Sequence, residues 1–240
     1  MRFTGVFQDC AADIIDVWRH QFMDGTADPA EMAAVLSGRL KANMILSVTE
    51  TVSADPMDFK VRFLHRFSLP SGILTGGDQQ KDQKFSEFRD QAYLHSNVIP
   101  TYRTVLEMRQ PHIDQVSARL LGFRVLYDRI LLPEPRREGR PRWCMSLTET
   151  RFALPLPRRD PKIVDDDVRV LQLLREGDSA KEISEKLSLS RRTIEGRIER
   201  LKKRFGARNM AHLIVMSISH AADAELGIGK RSRSFFGDDR

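Results

Sequence analysis

The stretch "SLSRRTIEGRIERLKKRF", residues 188 to 205, carries seven Arg and Lys against two Glu. Ile194, Ile198, Leu201 and Phe205 recur at helical spacing, so a helix here has one apolar side and one strongly cationic side. That pattern suits a polyanion. Guanidinium forks grip phosphates and base edges through paired N–H donors, and ammonium groups add point charge. Nothing in the chain matches it for catalysis. There is no HExxH, no GxSxG and no paired-carboxylate arrangement, and "LTGGDQ" lacks the Lys-Ser/Thr of a phosphate loop and reads as a turn. Cys10 and Cys144 lie far apart and give neither a disulfide framework nor metal-ligand spacing. No enzyme, no metal and no cofactor is expected.

The 240 residues suggest two domains, and 41% hydrophobic with 30% charged residues suits a soluble globular protein. No run approaches the roughly 18 apolar residues of a spanning helix, and the start lacks a secretory signal. The expected location is the cytoplasm, with no membrane partner. The net charge of +6 is uneven: Lys186 to Arg208 holds nine basic and two acidic residues, a local +7. A cationic block inside a balanced chain points to an acidic polymer as partner.

"ALPLPRRDPK", residues 153 to 162, contains three prolines and no periodic pattern, so it reads as a linker. Before it, residues 1–152 mix helical stretches ("IIDVWRHQF", "PAEMAAVLSGRL" and "KFSEFRDQAYLHSNVIPTYRTVLEM", the last interrupted near Pro100) with strands. The strand signals are "NMILSVTET", the alternating "DFKVRFLHRF", "HIDQVSARLLG", "FRVLYDRILLP" and "RWCMSLTETRF". Strands returning through short turns predict an antiparallel sheet with helices on one side, an α+β domain. The end of the chain, residues 223–240, is expected to be a flexible tail.

After the linker the pattern is all-helical. "DDDVRVLQLLREG" opens on acids and closes on Gly177, Ser179 and Glu182 form a capping box, and Ser190 caps the next helix. Two helices on a short connector, the second cationic, are the parts of a helix-turn-helix whose second helix fits the DNA major groove. Ile183, Ser184 and Leu187 should pack against Ile194, Ile198 and Leu201. The DNA-contact candidates are Lys181, Ser190, Arg191, Arg192, Thr193, Arg197, Arg200, Lys203 and Arg204. Gly196 in mid-helix costs about 1 kcal/mol against Ala, which a close approach of backbone to DNA would explain.

The string "LLREGDSAKEISEKLSLSRRTIEGRIERLKKRFGARN" resembles the LuxR-type (GerE-like) DNA-binding domain over residues 163–222. Ser184 stands where that family usually has Ala, Arg197 where it has His, Arg204-Phe205 where it has Lys-Leu, and Met210 where it has Arg. The resemblance implies a dimer contact on the last helix, for which Leu213, Ile214, Met216 and Ser217 are the candidates. The expected assembly is a homodimer on double-stranded DNA at a roughly palindromic operator, with RNA polymerase a further candidate partner.

The first 152 residues lack the features of a phosphoacceptor receiver. "SADPMDFK" has the dipeptide of an acyl-homoserine-lactone domain without its aromatic spacing. "DVWRHQF", "DFKVRFL" and "FRVLYDRILLP" resemble a PAS-like sensory or dimerisation domain, implying a five-stranded antiparallel sheet that encloses a pocket or offers a dimer face. His65 is the candidate ligand contact or haem ligand there, set against a hydrogen-bonded core histidine. Cys144 is either an oxidant-sensitive thiol or a buried small hydrophobe. A small-molecule ligand of unspecified identity is thus admitted. The competing expectations are an acyl-homoserine-lactone-type, haem or small-molecule sensor regulator, and a protein-interaction adaptor that never touches DNA.

Overall fold

The computed structural model describes residues 5–68, 81–136, 138–158 and 161–225. The "LTGGDQ" turn and the tail beyond residue 225 lie outside them. The fold is α+β, an antiparallel six-stranded sheet with helices followed by an all-helical C-terminal part. The described residues divide into two compact units, one drawn from those up to Leu121 with Val125–Ala153, the other from Gly122–Arg124 with those from Leu154 onward.

In the first unit the strands are β1 (Met44–Glu50), β2 (Lys60–His65), β3 (Gln83–Lys84), β4 (His112–Leu120), β5 (Phe123–Pro133) and β6 (Trp143–Pro155), in the order β3-β2-β1-β6-β5-β4. Strand alternation sends successive side chains to opposite faces. On one face Met44, Leu46, Ile130, Leu132, Met145 and Leu147 are buried with Phe7, Cys10 and Ile14 of α1 (Val6–Asp24) and Met32 of α2 (Pro29–Ala34). On the other, Phe59, Val61, Leu131 and Cys144 pack on Ile99, Tyr102 and Val105 of α4 (Ile99–Met108). Helices therefore cover both faces, not one as expected. The amphipathic helices signal that each buries a stripe, not which face of the sheet receives it. The PAS-like resemblance is accordingly loose: six strands rather than five, layered on both sides.

Local signals fix the helix ends. Asp28 caps α2 by accepting from the Ala30 N–H at 2.8 Å, and Gly25 ends α1 in the left-handed region at φ 72°. The segment read as helical from residue 84, with an interruption near Pro100, opens instead with a 3-10 turn, Phe85–Glu87. Then α3 (Gln91–Tyr93) passes through a π turn, Leu94–Val98, into α4. Pro100 supplies no N–H at this junction, which helps to explain the widened turn. Strand β6 also runs to Pro155, into the stretch read as linker.

The second unit holds α5 (Asp165–Arg175), α6 (Ala180–Lys186), α7 (Arg191–Phe205) and α8 (Met210–Glu225), so residues 223–225 are helical rather than tail. Val170, Leu171, Leu174, Ile183, Ile194, Ile198, Leu201, Phe205, Leu213 and Met216 form its core.

Candidate nucleic-acid interface

The cationic stretch is a helix seated on its neighbours. Ser190 accepts from the Thr193 N–H at 3.1 Å, and Gly206 ends α7 at φ 68°. A Ser cap contributes about 1 kcal/mol by satisfying one of the free N–H groups. The Ser179–Glu182 box is complete, with the Ser179 N–H donating to Glu182 at 2.7 Å. Those hydrogen bonds hold the Glu182 carboxyl below its ordinary range. Between α6 and α7 the chain turns through Ser188 at φ 51°, a left-handed position rarely taken by a residue other than glycine or asparagine. Ile183 and Leu187 meet the α7 core as expected, whereas the Ser184 hydroxyl donates back to the Lys181 carbonyl at 2.7 Å.

The apolar side of α7 (Ile194, Ile198, Leu201, Phe205) is buried, so its opposite side faces outward. Arg192, Arg200 and Lys203 are exposed there, and none has an ion-pair partner among the described residues. Arg191 is exposed and its Nε donates to Glu195 at 2.7 Å; Lys181 sits 4.0 Å from Glu185. Thr193 is exposed and shares its hydroxyl with Ser190 at 2.8 Å. Gly196 lies one helical turn from both Arg192 and Arg200. A Cβ added there would meet only the Arg200 guanidinium, at 3.7 Å, so packing within the fold does not require glycine.

Two candidates are placed differently. Arg197 turns toward the start of α5, with Nη2 at 3.1 Å from Asp166 and Nη1 at 3.6 Å from Asp167, and only 17% of its side chain is exposed. Arg204 donates to Asp167 at 2.7 Å and to the Lys162 carbonyl at 3.1 Å. These two cations hold α7 against α5, and Arg197 is withdrawn from the outward face.

The dimer-contact set also needs correction. Leu213, Met216 and Ser217 are buried in the unit's own core, and Ser217 accepts from Arg175 Nε at 3.1 Å; Ile214 is half-buried against the same core. The outward apolar edge of α8 is instead Ala211, Val215, Ile218 and Ala222, with Ile218 43% exposed. The 3-4 spacing of those residues was legible, but a helix apolar over most of its length shows two possible stripes and the sequence does not rank them.

In the first unit, the His65 ring stands 3.1 Å from the Lys41 carbonyl, half-buried at a strand end, as a hydrogen-bonded structural histidine would. The sheet face toward α4 is filled from within. Arg129 makes paired bonds of 2.9 and 2.5 Å to Asp114, and Tyr93 and Tyr127 share a 2.5 Å contact. Burial opposes the Arg129 charge, but Tyr127 and Asp114 outweigh it and raise its pKa. Cys144 is buried and its thiol is pushed well up, so it stays protonated and behaves as a small hydrophobe. Cys10 belongs to the core on the other face of the sheet. Among the described residues, no group of three or more His, Cys, Asp or Glu is placed to hold a metal ion, and no helix is long and apolar enough to cross a membrane.

Comparison with curated proteins gives no match. Among solved structures the chain is similar to the Vibrio cholerae VqmA dimer in the absence of target DNA, at 15% identity over 81% of this chain and 88% of that one, TM-score 0.34. It is similar to phage VqmA in a DPO complex (17%, covering 85% and 94%, TM-score 0.35) and to Escherichia coli SdiA (14%, covering 87% and 98%, TM-score 0.25). The family described as bacterial regulatory proteins, luxR family, matches residues 167–217, which span the acidic start of α5 through the buried part of α8. Residues 167–217 of this chain are a LuxR-type helix-turn-helix domain.

Proposed function

We propose that the chain is a DNA-binding transcription regulator that reads a roughly palindromic operator as a homodimer. Residues 163–222 serve as the reading head, 153–162 as a linker, and 1–152 as a sensory or dimerisation module. The observation that carries this is the outward side of α7, where Arg192, Arg200 and Lys203 project together from a capped helix inside a LuxR-type domain. Such a helix enters the major groove with its N-terminal half toward base edges, which assigns Arg191, Arg192 and Thr193 to bases or nearby phosphates. Lys181, Arg200 and Lys203 then hold phosphates. The apolar edge of α8 joins two copies, spacing the half-sites about one helical turn apart. The protein acts by binding, in the cytoplasm, with RNA polymerase as the partner that carries its effect to transcription.

Selection from a pool of random duplexes, followed by a mobility-shift titration of the recovered sequence, tests the proposal. A shift that weakens steeply with salt is expected, because phosphate contacts release counterions. Failure to shift any duplex at low salt would establish the adaptor reading instead.

A further inference from the structure

The outward side of α7 is not uniformly cationic. At about 100° per residue, Glu195 and Glu199 fall in line one turn apart, with Arg191 and Lys202 to one side of them and Arg192, Lys203 and Arg200 to the other. Each carboxylate is exposed and held by a cation of the same helix. Glu195 Oε1 accepts from Arg191 Nε at 2.7 Å, and Glu199 Oε1 lies 2.7 Å from Lys202 Nζ. The second oxygen of each carboxylate has no partner among the described residues.

An acidic stripe is out of place against phosphate. Surface pairs within one helix add little to its stability, and a carboxylate turned to a DNA backbone weakens binding by like-charge repulsion. Base edges are the part of a duplex that a carboxylate can meet. A helix in the major groove has a phosphate backbone on either side and base edges between them. The order of cation, carboxylate, cation around α7 matches that order of backbone, bases, backbone. The hydrogen-bond donors on the groove floor are the amines of cytosine and adenine. Adenine sets its N7 acceptor beside the amine, which repels a carboxylate, whereas cytosine offers its N4 amine alone. Four residues span about 6 Å of helix, close to two base steps of about 3.4 Å each.

We propose that Glu195 and Glu199 are base-reading residues, each accepting a hydrogen bond from a cytosine N4 amine, the two cytosines two base pairs apart in the half-site. Arg191 and Lys202 hold the carboxylates in place and turn positive charge toward the backbone beside them. The inference rests on the operator reading above and deepens it. The cations supply most of the affinity, and the two glutamates supply a choice of sequence.

Selection from a pool of random duplexes, carried out with the full-length protein and with Glu195→Ala, Glu195→Gln and Glu199→Ala, tests it. Each protein is then titrated by mobility shift on the parent's recovered duplex and on copies with single base pairs exchanged. The parent should require cytosine at two positions two base pairs apart in each half-site, either exchange weakening binding roughly tenfold. Glu195→Ala should lose the preference at one of these positions and keep the other, and Glu199→Ala should do the reverse. Glu195→Gln should turn the preference at its position toward adenine, whose N6 and N7 an amide matches. A merely structural role in α7 would not produce that change of base. Both alanine variants should bind unrelated duplex more tightly, because a charge that phosphate repels is gone. A recovered site without the two cytosines, variants that keep the parent's preferences, or an equal loss on every duplex overturns the proposal and leaves operator binding standing. A parent protein that shifts no duplex at low salt overturns the operator reading, and this inference with it.

Discussion

Arg204 and Asp167 form a 2.7 Å ion pair between α7 and the first turn of α5, and Arg197 reaches the same carboxylate at 3.6 Å. Asp167 is buried, and it also accepts from the Val164 N–H at 3.4 Å, so one carboxylate caps a helix and fastens another. Removing it leaves Arg197 mostly out of water with only the exposed Asp166 for company. Asp167→Ala should cost roughly 2–3 kcal/mol of stability, toward the low side of breaking a buried pair. Thermal melting of the variant checks this.

Cations that fasten the fold should separate from cations that meet DNA. Arg192→Ala, Arg200→Ala and Lys203→Ala should leave the melting temperature nearly unchanged, since each side chain is exposed without an ion pair among the described residues. Each should flatten the salt dependence of operator affinity by about 0.9 in log–log slope if it neutralises one phosphate. Arg197→Ala should do the opposite, lowering stability with little change in that slope. Salt titrations of the four variants against the same duplex check the division.

The C-terminal helices, their caps and their shared core were legible because each signal there is local. Ser179–Glu182, Ser190 and Gly206 mark ends, and Ile194, Ile198, Leu201 and Phe205 mark one face. The pairing of Arg197 and Arg204 with Asp166 and Asp167 was not, because nothing in α7 alone distinguishes a cation that faces solvent from one that faces α5. The same limit hid the outward edge of α8. In the first unit the long strands were legible from alternation. The interruption near Pro100 was legible from the proline itself, whereas the two-residue β3 and the second covered face of the sheet depend on contacts far apart in sequence. The Arg129–Asp114 pair was equally hidden, since a charged residue within an alternating strand reads as solvent-facing until the opposite layer is known.

The outward edge of α8 should carry self-association. Ile218→Asp, at a side chain already 43% exposed, should fold normally yet shift the protein from dimer to monomer and weaken operator binding. Leu213→Asp, at a side chain with no exposure, should instead unfold the domain. Sedimentation analysis together with far-ultraviolet circular dichroism tells the two apart. An Ile218→Asp protein that stays dimeric would move the contact elsewhere.

Acid should destabilise the first unit. Burial pushes the Glu134 carboxyl up, but the Arg142 hydrogen bonds, with Arg136, overcome it and leave the pKa below the usual carboxylate value. A depressed carboxyl means the unfolded chain binds more protons, so this stabilisation is full above the unfolded value of about 4.3 and disappears as pH falls through the folded one. His112 is depressed mainly by burial, with Arg129 adding to it and Asp114 opposing. It acts in the same direction at higher pH, reducing stability below its unfolded value of about 6.5. Glu134→Gln should therefore be less stable than the parent at neutral pH and lose less on acidification to pH 4. Urea melts at pH 7, 5.5 and 4 give the comparison.

Gly196 offers a test in which stability and function are expected to move apart. It sits on the outward side of α7, one turn from Arg192 and one from Arg200, and an added Cβ meets nothing closer than a movable guanidinium at 3.7 Å. Alanine there removes the entropic cost of glycine in a helix without a clash, so Gly196→Ala should stabilise the domain by about 1 kcal/mol. If α7 lies in the groove as proposed, the same methyl group stands where backbone approaches the duplex, and operator affinity should fall despite the firmer fold. The melting temperature and the operator dissociation constant, measured on one preparation, should therefore change in opposite senses for binding: higher melting, weaker complex. A variant that melts higher and binds as well as the parent would mean that α7 meets DNA only through its longer side chains, with no close contact at Gly196.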